Sequence, residues 1–133
     1  MAKARSKTIE VIKTDKAGPP VGPYSQGIRA GGFIFVAGEK GMDPVTKQLV
    51  PGGIEAETRR TLENIKAILE EAGSSMDLAV QTFVFMTDLS EFSRMNEIYA
   101  EYFKKNPPGR TTVGVKSLPV GARVEITVTA LAG

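Results

Sequence analysis

What most limits this chain is the balance of its elements: two amphipathic helical stretches stand among six strand-like runs. Over Ile54–Ala72 the apolar residues Ile54, Leu62, Ile65, Ile68, Leu69 and Ala72 fall close to helical spacing, which predicts a helix with one buried stripe. Glu55 and Glu57 suit its positive N-terminal end, and Gly73 is a natural stop. Ser90 is placed to cap a second helix over Glu91–Lys104, with Phe92, Met95, Tyr99, Tyr102 and Phe103 inward. Asn106-Pro107-Pro108-Gly109 ends it. Lys7–Ile12 alternates as a half-buried strand, and Ile28–Ala30 and Phe33–Ala37 form a pair split by a Gly31-Gly32 hairpin turn. Leu78–Met86, dense in Val, Phe and Thr, is a buried strand, and Arg110–Lys116 and Ala122–Leu131 complete the set. Thr14–Pro23 and Gly38–Gly53 are loops rich in Gly and Pro.

The resulting order, βββαβαββ, is that of an α+β chain. Two helices can cover only one face of such a sheet, so the other must meet solvent or another subunit. A length of 133 residues fits a single domain spanning 1–133. The longest apolar runs, Phe33–Ala37 and Phe83–Met86, are far too short to cross a membrane, and no apolar leader follows Met1, so a cytoplasmic protein is expected.

Two absences narrow the chemistry. The sequence has no Cys, hence no disulfide, thiolate nucleophile or thiolate-bound metal. It has no His either, which excludes a histidine-based ribonuclease and a Ser-His-Asp hydrolase. Seventeen basic residues against fifteen acidic ones leave +2, too little to point to nucleic acid. Lys3, Arg5 and Lys7 make the N-terminus locally basic, as solvated tails often are. Any reaction must be run by carboxylates, Arg, Lys, Tyr, hydroxyls, backbone amides and water.

Strand parity then selects candidates. In Arg110–Lys116, Thr111, Val113 and Val115 share one face while Arg110, Thr112, Gly114 and Lys116 share the other. In the last strand Arg123, Glu125, Thr127 and Thr129 oppose an apolar row. If the apolar face of each strand meets the helices, Arg110 and Glu125 lie together on the uncovered face. Arg110 follows the stiff Pro107-Pro108-Gly109 turn and offers a planar fork matched to a carboxylate; a surface arginine at a strand end would look the same. Glu125 sits between Val124 and Ile126, where a carboxylate needs a reason: either a site, or an ion pair with Arg123 or Arg110. Tyr24 lies where a Pro-rich loop enters a strand, as a site residue or a packed ring. Gly38 and Gly41 permit close backbone approach to a ligand, or simply turn the chain. Gly31-Gly32 lacks the GxGxxG spacing and the following helix of a phosphate loop.

Beyond these separate readings, the motifs resemble one family along nearly the whole chain, from about Lys13 to Gly133. Gly22-Pro23-Tyr24-Ser25-Gln26, Val36-Ala37-Gly38, Gly41-Met42-Asp43-Pro44, Thr61–Ala72 and Met95-Asn96-Glu97-Ile98-Tyr99 resemble the RidA/YjgF family. So do Pro108-Gly109-Arg110-Thr111-Thr112-Val113, Leu118-Pro119 and Val124-Glu125-Ile126. The resemblance implies a chorismate-mutase-like fold with a mixed six-stranded sheet, a homotrimer with ligand clefts between subunits, and no metal or organic cofactor. It implies hydrolysis of enamine and imine acids such as 2-aminoacrylate and 2-iminobutanoate to 2-keto acids and ammonia. In that scheme Arg110 grips the substrate carboxylate and Glu125 orients or activates water. Tyr24 lines the cleft, Gly38 supplies a backbone contact, and Thr112 takes a place that is often cysteine in relatives. Asn96 is a polar position of the second helix, read as structural. Three departures bear on substrate range: Glu39 stands where Gln is common, Gly109 where Ala is frequent, and Ala37 where many relatives have Ser. Glu39 is expected to add negative charge near the cleft. The family's other descriptions, as an endoribonuclease and translation inhibitor, and a non-catalytic keto-acid-binding trimer are the alternatives.

Overall fold

A computed structural model describes residues 8–133, so Lys3, Arg5 and Lys7, including the first residue of the expected strand Lys7–Ile12, lie outside the described residues. The elements follow the expected order: β1 Glu10–Ile12, β2 Gly27–Ala30, β3 Phe33–Glu39, α1 Gly53–Glu71, β4 Ala79–Met86, α2 Phe92–Ala100, β5 Gly109–Gly114 and β6 Val124–Leu131. Short 3-10 turns occupy Met76–Leu78, Leu89–Glu91 and Pro119–Gly121. The six strands form one sheet in the order β1-β2-β3-β6-β4-β5. Its neighbours pair antiparallel except β4 and β5, whose parallel pairing requires the crossover that α2 provides. The sheet is therefore mixed.

Local chemistry explains the boundaries. Gly31 and Gly32 both hold positive φ, 59° and 85°, as a tight hairpin turn between β2 and β3 demands. Gly73, at φ 79°, closes α1: its N–H donates to Glu70 O at 3.0 Å and that of Ser74 to Leu69 O at 2.9 Å. Glu57 is not a solvent-facing dipole partner but is buried, accepting the Arg123 N–H at 2.7 Å. The start of α2 also differs from expectation. Asp88, not Ser90, is the capping side chain, accepting the Ser90 N–H at 2.9 Å ahead of the 3-10 turn Leu89–Glu91. The α-helix stops at Ala100, yet Phe103 remains buried and the Tyr102 hydroxyl donates to Glu63 at 2.7 Å.

The core occupies one side of the sheet. Ile54, Leu62, Ile65, Ile68 and Leu69 of α1, with Met95 and Tyr99 of α2, pack on Ile34, Val36, Val84, Met86, Val124, Ile126 and Val128. These alternate strand positions drop from water into a contiguous apolar layer, the main source of stability. On the opposite side the described residues offer no cover. Val11, Phe33, Phe35, Val113 and Leu131 stay exposed there, with Phe35 at 46% and Val113 at 39%.

The shared-face expectation for Arg110 and Glu125 is corrected here. In the register Arg110 pairs with Thr82, whose β6 partner is Val128, and Thr112 with Val84, whose β6 partner is Ile126, all four on the helix-covered face. Glu125 stands beside Phe85, which pairs with Val113, on the uncovered face. The premise fails at β5, an edge strand whose apolar Val113 serves the uncovered side. Two strand spacings and three residue steps separate the two positions by roughly 14 Å within one chain, and they point opposite ways.

Candidate functional site

The first half-site is built by α2 over the edge strand β5. Phe92, Asn96 and Tyr99 lie three and four residues apart, on one stripe of α2. The Arg110 guanidinium carbon sits 4.6 Å from the Tyr99 ring centroid and 5.5 Å from that of Phe92. Such stacking contributes about 0.5–2 kcal/mol and holds the planar fork in one attitude. Tyr99 is itself fixed by a 2.8 Å hydrogen bond between its hydroxyl and Thr82 Oγ1. Burial pushes the Tyr99 phenol above its usual value, against the pull of Thr82 and the Arg110 charge, so it stays neutral under Arg110. Among the described residues no carboxylate pairs with Arg110. Thr112 lies two residues on, half-buried on the same face. Asn96 is also half-buried.

The second candidate position lies at the C-terminal end of β3, beside the start of β6, on the other face. A bulge shifts the register there: Val36 pairs with Val128 but Glu39 with Ile126, three residue steps against two. Across this bulge Glu125 folds over Gly38 so closely that a Cβ at Gly38 would lie 2.5 Å from Glu125 Oε2. The space glycine leaves is filled by the protein's own carboxylate. At Gly41 it is filled by the backbone of Glu57, 2.9 Å from such a Cβ. Glu125 pairs with neither Arg123 nor Arg110. Its Oε1 lies 3.6 Å from Lys40 Nζ, while Arg123 turns to Glu57 and Glu91. Lys40 Nζ also donates to Gly38 O at 3.1 Å and sits 5.9 Å from the Tyr24 ring centroid. The Tyr24 hydroxyl accepts the Val21 N–H at 3.1 Å, closing the Pro-rich loop onto the site. Together Val21, Tyr24, Ala37, Gly38, Lys40, Pro119 and Glu125 line an open cavity of about 270 Å³.

Lys40 is the residue that sequence reasoning missed. Its only trace in the sequence is a cation between Gly38 and Gly41, in a segment the glycines already mark for close approach. The expectation for Glu39 is corrected too. Burial pushes its carboxyl up to about 8, with Lys40 opposing and Glu125 reinforcing the rise, so at neutral pH it is mostly protonated and adds little negative charge. At Gly109 a Cβ would meet only Val80 O, at 3.8 Å, so the position has room for the alanine that is frequent there. Among the described residues no group of three or more acidic side chains is placed to hold a metal ion. No helix among them is long and apolar enough to cross a membrane.

An α+β chain with this mixed sheet and two helices on one face has the chorismate-mutase-like fold, and solved structures share it closely. The crystal structure of E. coli TdcF with bound serine superposes with a TM-score of 0.88 at 34% identity, over 92% of this chain and 98% of that one. The model of the endoribonuclease L-PSP family matches residues 14–132. A RutC family protein of Pyrococcus abyssi is 50% identical over 88% of this chain and 92% of its own length. The human 2-iminobutanoate/2-iminopropanoate deaminase is 42% identical over 92% of this chain and 90% of its own. The chain belongs to the endoribonuclease L-PSP family, which is the RidA/YjgF family.

Proposed function

We propose that this protein hydrolyses small enamine and imine acids, such as 2-aminoacrylate, 2-iminopropanoate and 2-iminobutanoate, to 2-keto acids and ammonia. The observation that carries this reading is Arg110, an arginine stacked on two rings with no carboxylate partner among the described residues. A guanidinium so held takes a carboxylate bidentately. Support comes from the human relative, named as an imine deaminase, and from TdcF, whose crystal structure holds serine, a small amino acid.

Arg110 and Glu125 face opposite ways in one chain, so a site that uses both takes Arg110 from one subunit and Glu125 from another. The exposed Phe35 and Val113 give the uncovered face the apolar character of a surface that a second copy would bury, and a homotrimer is the assembly this reading takes. In the shared cleft Arg110 and Thr112 hold the carboxylate end, while Tyr24 and the Gly38 backbone wall the other side. Glu125 orients a water toward the C=N carbon. An enamine first takes a proton at its β-carbon and gives one up from its nitrogen to water, becoming the imine. Water then adds across C=N, its oxygen to carbon and one proton to nitrogen, to give a carbinolamine. As the hydroxyl gives its proton up to the nitrogen through water, the C–N bond breaks, ammonia leaves and the 2-keto acid remains. Substrates of this kind hydrolyse readily by themselves, so positioning and charge complementarity suffice, with no cofactor in the scheme.

The test is a threonine or serine dehydratase reaction followed with and without this protein. Faster conversion of the released imine to keto acid is expected, and Arg110→Ala should lose on the order of 100-fold or more of that acceleration. A wild-type protein that leaves the decay rate unchanged, or an Arg110→Ala variant of normal activity, would overturn the reading. The ribonuclease alternative finds less support, since the chain has no His and a net charge of only +2.

A further inference from the structure

Most lysines keep their ammonium in water, and Lys40 does not. Its side chain is only 6% exposed, next to a Glu125 side chain that is 21% exposed. Its backbone is pinned: the Lys40 and Met42 carbonyls both accept from Asn64 Nδ2, at 3.1 and 2.9 Å, and Gly41 is packed against the Glu57 backbone. From that anchor the ammonium reaches three acceptors of different kinds, the Gly38 carbonyl, the Glu125 carboxylate and the face of Tyr24. Each belongs to a residue that the proposed reaction uses.

We infer that Lys40 is a positioning residue of this site, tying the Glu125 carboxylate, the Gly38 carbonyl and the Tyr24 ring into one fixed wall of the cleft. The inference rests on the proposed role of Glu125 in handling water. Glu125 has two oxygens with separate tasks. Oε1 is turned toward Lys40, and Oε2 lies over Gly38 at the cavity edge. Lys40 draws one oxygen of the carboxylate to its ammonium, and a lysine paired with a glutamate offsets its charge. A carboxylate substrate bound to Arg110 across the cleft therefore meets a neutral wall rather than a bare anion. Without Lys40, Glu125 would be half-buried beside Glu39 with no cation against it, free to rotate and repulsive to an anionic substrate.

The experiment combines Lys40→Met, which keeps the side-chain length and removes the charge, with Lys40→Arg and with each change in a Glu125→Gln background. Melting temperature and assembly size are recorded for every variant. For the imine substrate, Lys40→Met should lower kcat on the order of 10- to 100-fold, as a mispositioned group does. KM should rise by a smaller factor, and Lys40→Arg should recover part of the loss. In the Glu125→Gln background the further loss from Lys40→Met should shrink to about twofold or less, because the partner it positions is gone. A kcat for folded Lys40→Met within about twofold of the parent, or an equal loss in both backgrounds, overturns the inference. The nitrogen and proton signals of the Lys40 ammonium in isotope-labelled protein give a readout that needs no turnover. They should shift on Glu125→Gln, and an unchanged signal overturns the pairing even if the wild type proves inactive on imines. Inactivity of the wild type with a shifted ammonium signal would instead remove the reaction and leave the Lys40–Glu125 link standing.

Discussion

Arg110 and Glu125 are both charged residues set in half-buried strand positions, and the chain supports them in opposite ways. Arg110 sits on the helix-covered face, held by the rings of Tyr99 and Phe92, with no carboxylate paired to its guanidinium among the described residues. Glu125 sits on the uncovered face, with a buried ammonium already against it and a glycine beneath it. Stacking orients a cation while leaving its donors available, whereas an ion pair neutralises an anion and fixes where it points. The first arrangement suits binding an anion from outside. The second suits holding a group that must not attract or repel that anion by itself. One chain thus carries two differently prepared charged positions, on opposite faces of a sheet.

The largest effect that can break this comparison is complementation. Arg110→Ala and Glu125→Gln are each expected to reduce imine hydrolysis on the order of 100-fold or more as separate assemblies. Coexpressed in equal amounts, they form mixed assemblies in which some clefts take Arg110 from one variant and Glu125 from the other. If every site draws these residues from different subunits, random mixing restores about a quarter of wild-type activity. Mixed assemblies, verified by mass, that stay as inactive as their parents would show that the two half-sites do not meet between chains.

Much of this arrangement can be read in the sequence, and the exceptions have physical causes. The stripe of α1 and the alternation of β6 are legible because each element buries one side of itself in one core, and periodicity reports that directly. β5 misleads because it is an edge strand with apolar residues on the side away from the helices; Val113 belongs with Phe85, not with Val84. Alternation says which residues share a face and never which face is covered. Lys40 is invisible for another reason. Its burial depends on the bulge before Glu39 and on Asn64, 24 residues away in sequence, capturing its carbonyl. Residue type singled out Arg110 and Glu125 as candidates, but their division between two faces required the register.

Glu39 gives a smaller effect that sharpens the account of the Glu125 side. In the folded chain its carboxyl titrates at about 8 rather than 4.5, because it is buried. The folded state therefore holds a proton that the unfolded chain releases above the ordinary carboxylate range. This contribution to stability is fully present below pH 4.5 and is lost as the pH rises through about 8. By linkage the loss is on the order of 3–5 kcal/mol. Glu39→Gln should flatten that dependence and raise the melting temperature at pH 8 relative to the parent, with little change at pH 5. Equal melting temperatures of parent and variant at both pH values would mean that the carboxyl is not held neutral by burial, and the Glu125 side would then carry the extra negative charge that Glu39 suggests from the sequence.

The smallest effect separates what Tyr99 does for stability from what it does for Arg110. Tyr99→Phe keeps the ring under the guanidinium but removes the hydroxyl bonded to Thr82, a side chain that is fully buried. That should cost about 1–2 kcal/mol in denaturant unfolding while leaving KM for the imine acid within about twofold, since the stacked face is intact. Tyr99→Leu removes the ring as well, and the lost stacking of about 0.5–2 kcal/mol should appear as a KM raised roughly 2- to 30-fold. If both variants raise KM alike, the hydroxyl rather than the ring face prepares Arg110. The contrast between a stacked cation and a paired anion would then have to be redrawn as one between two hydrogen-bonded charges.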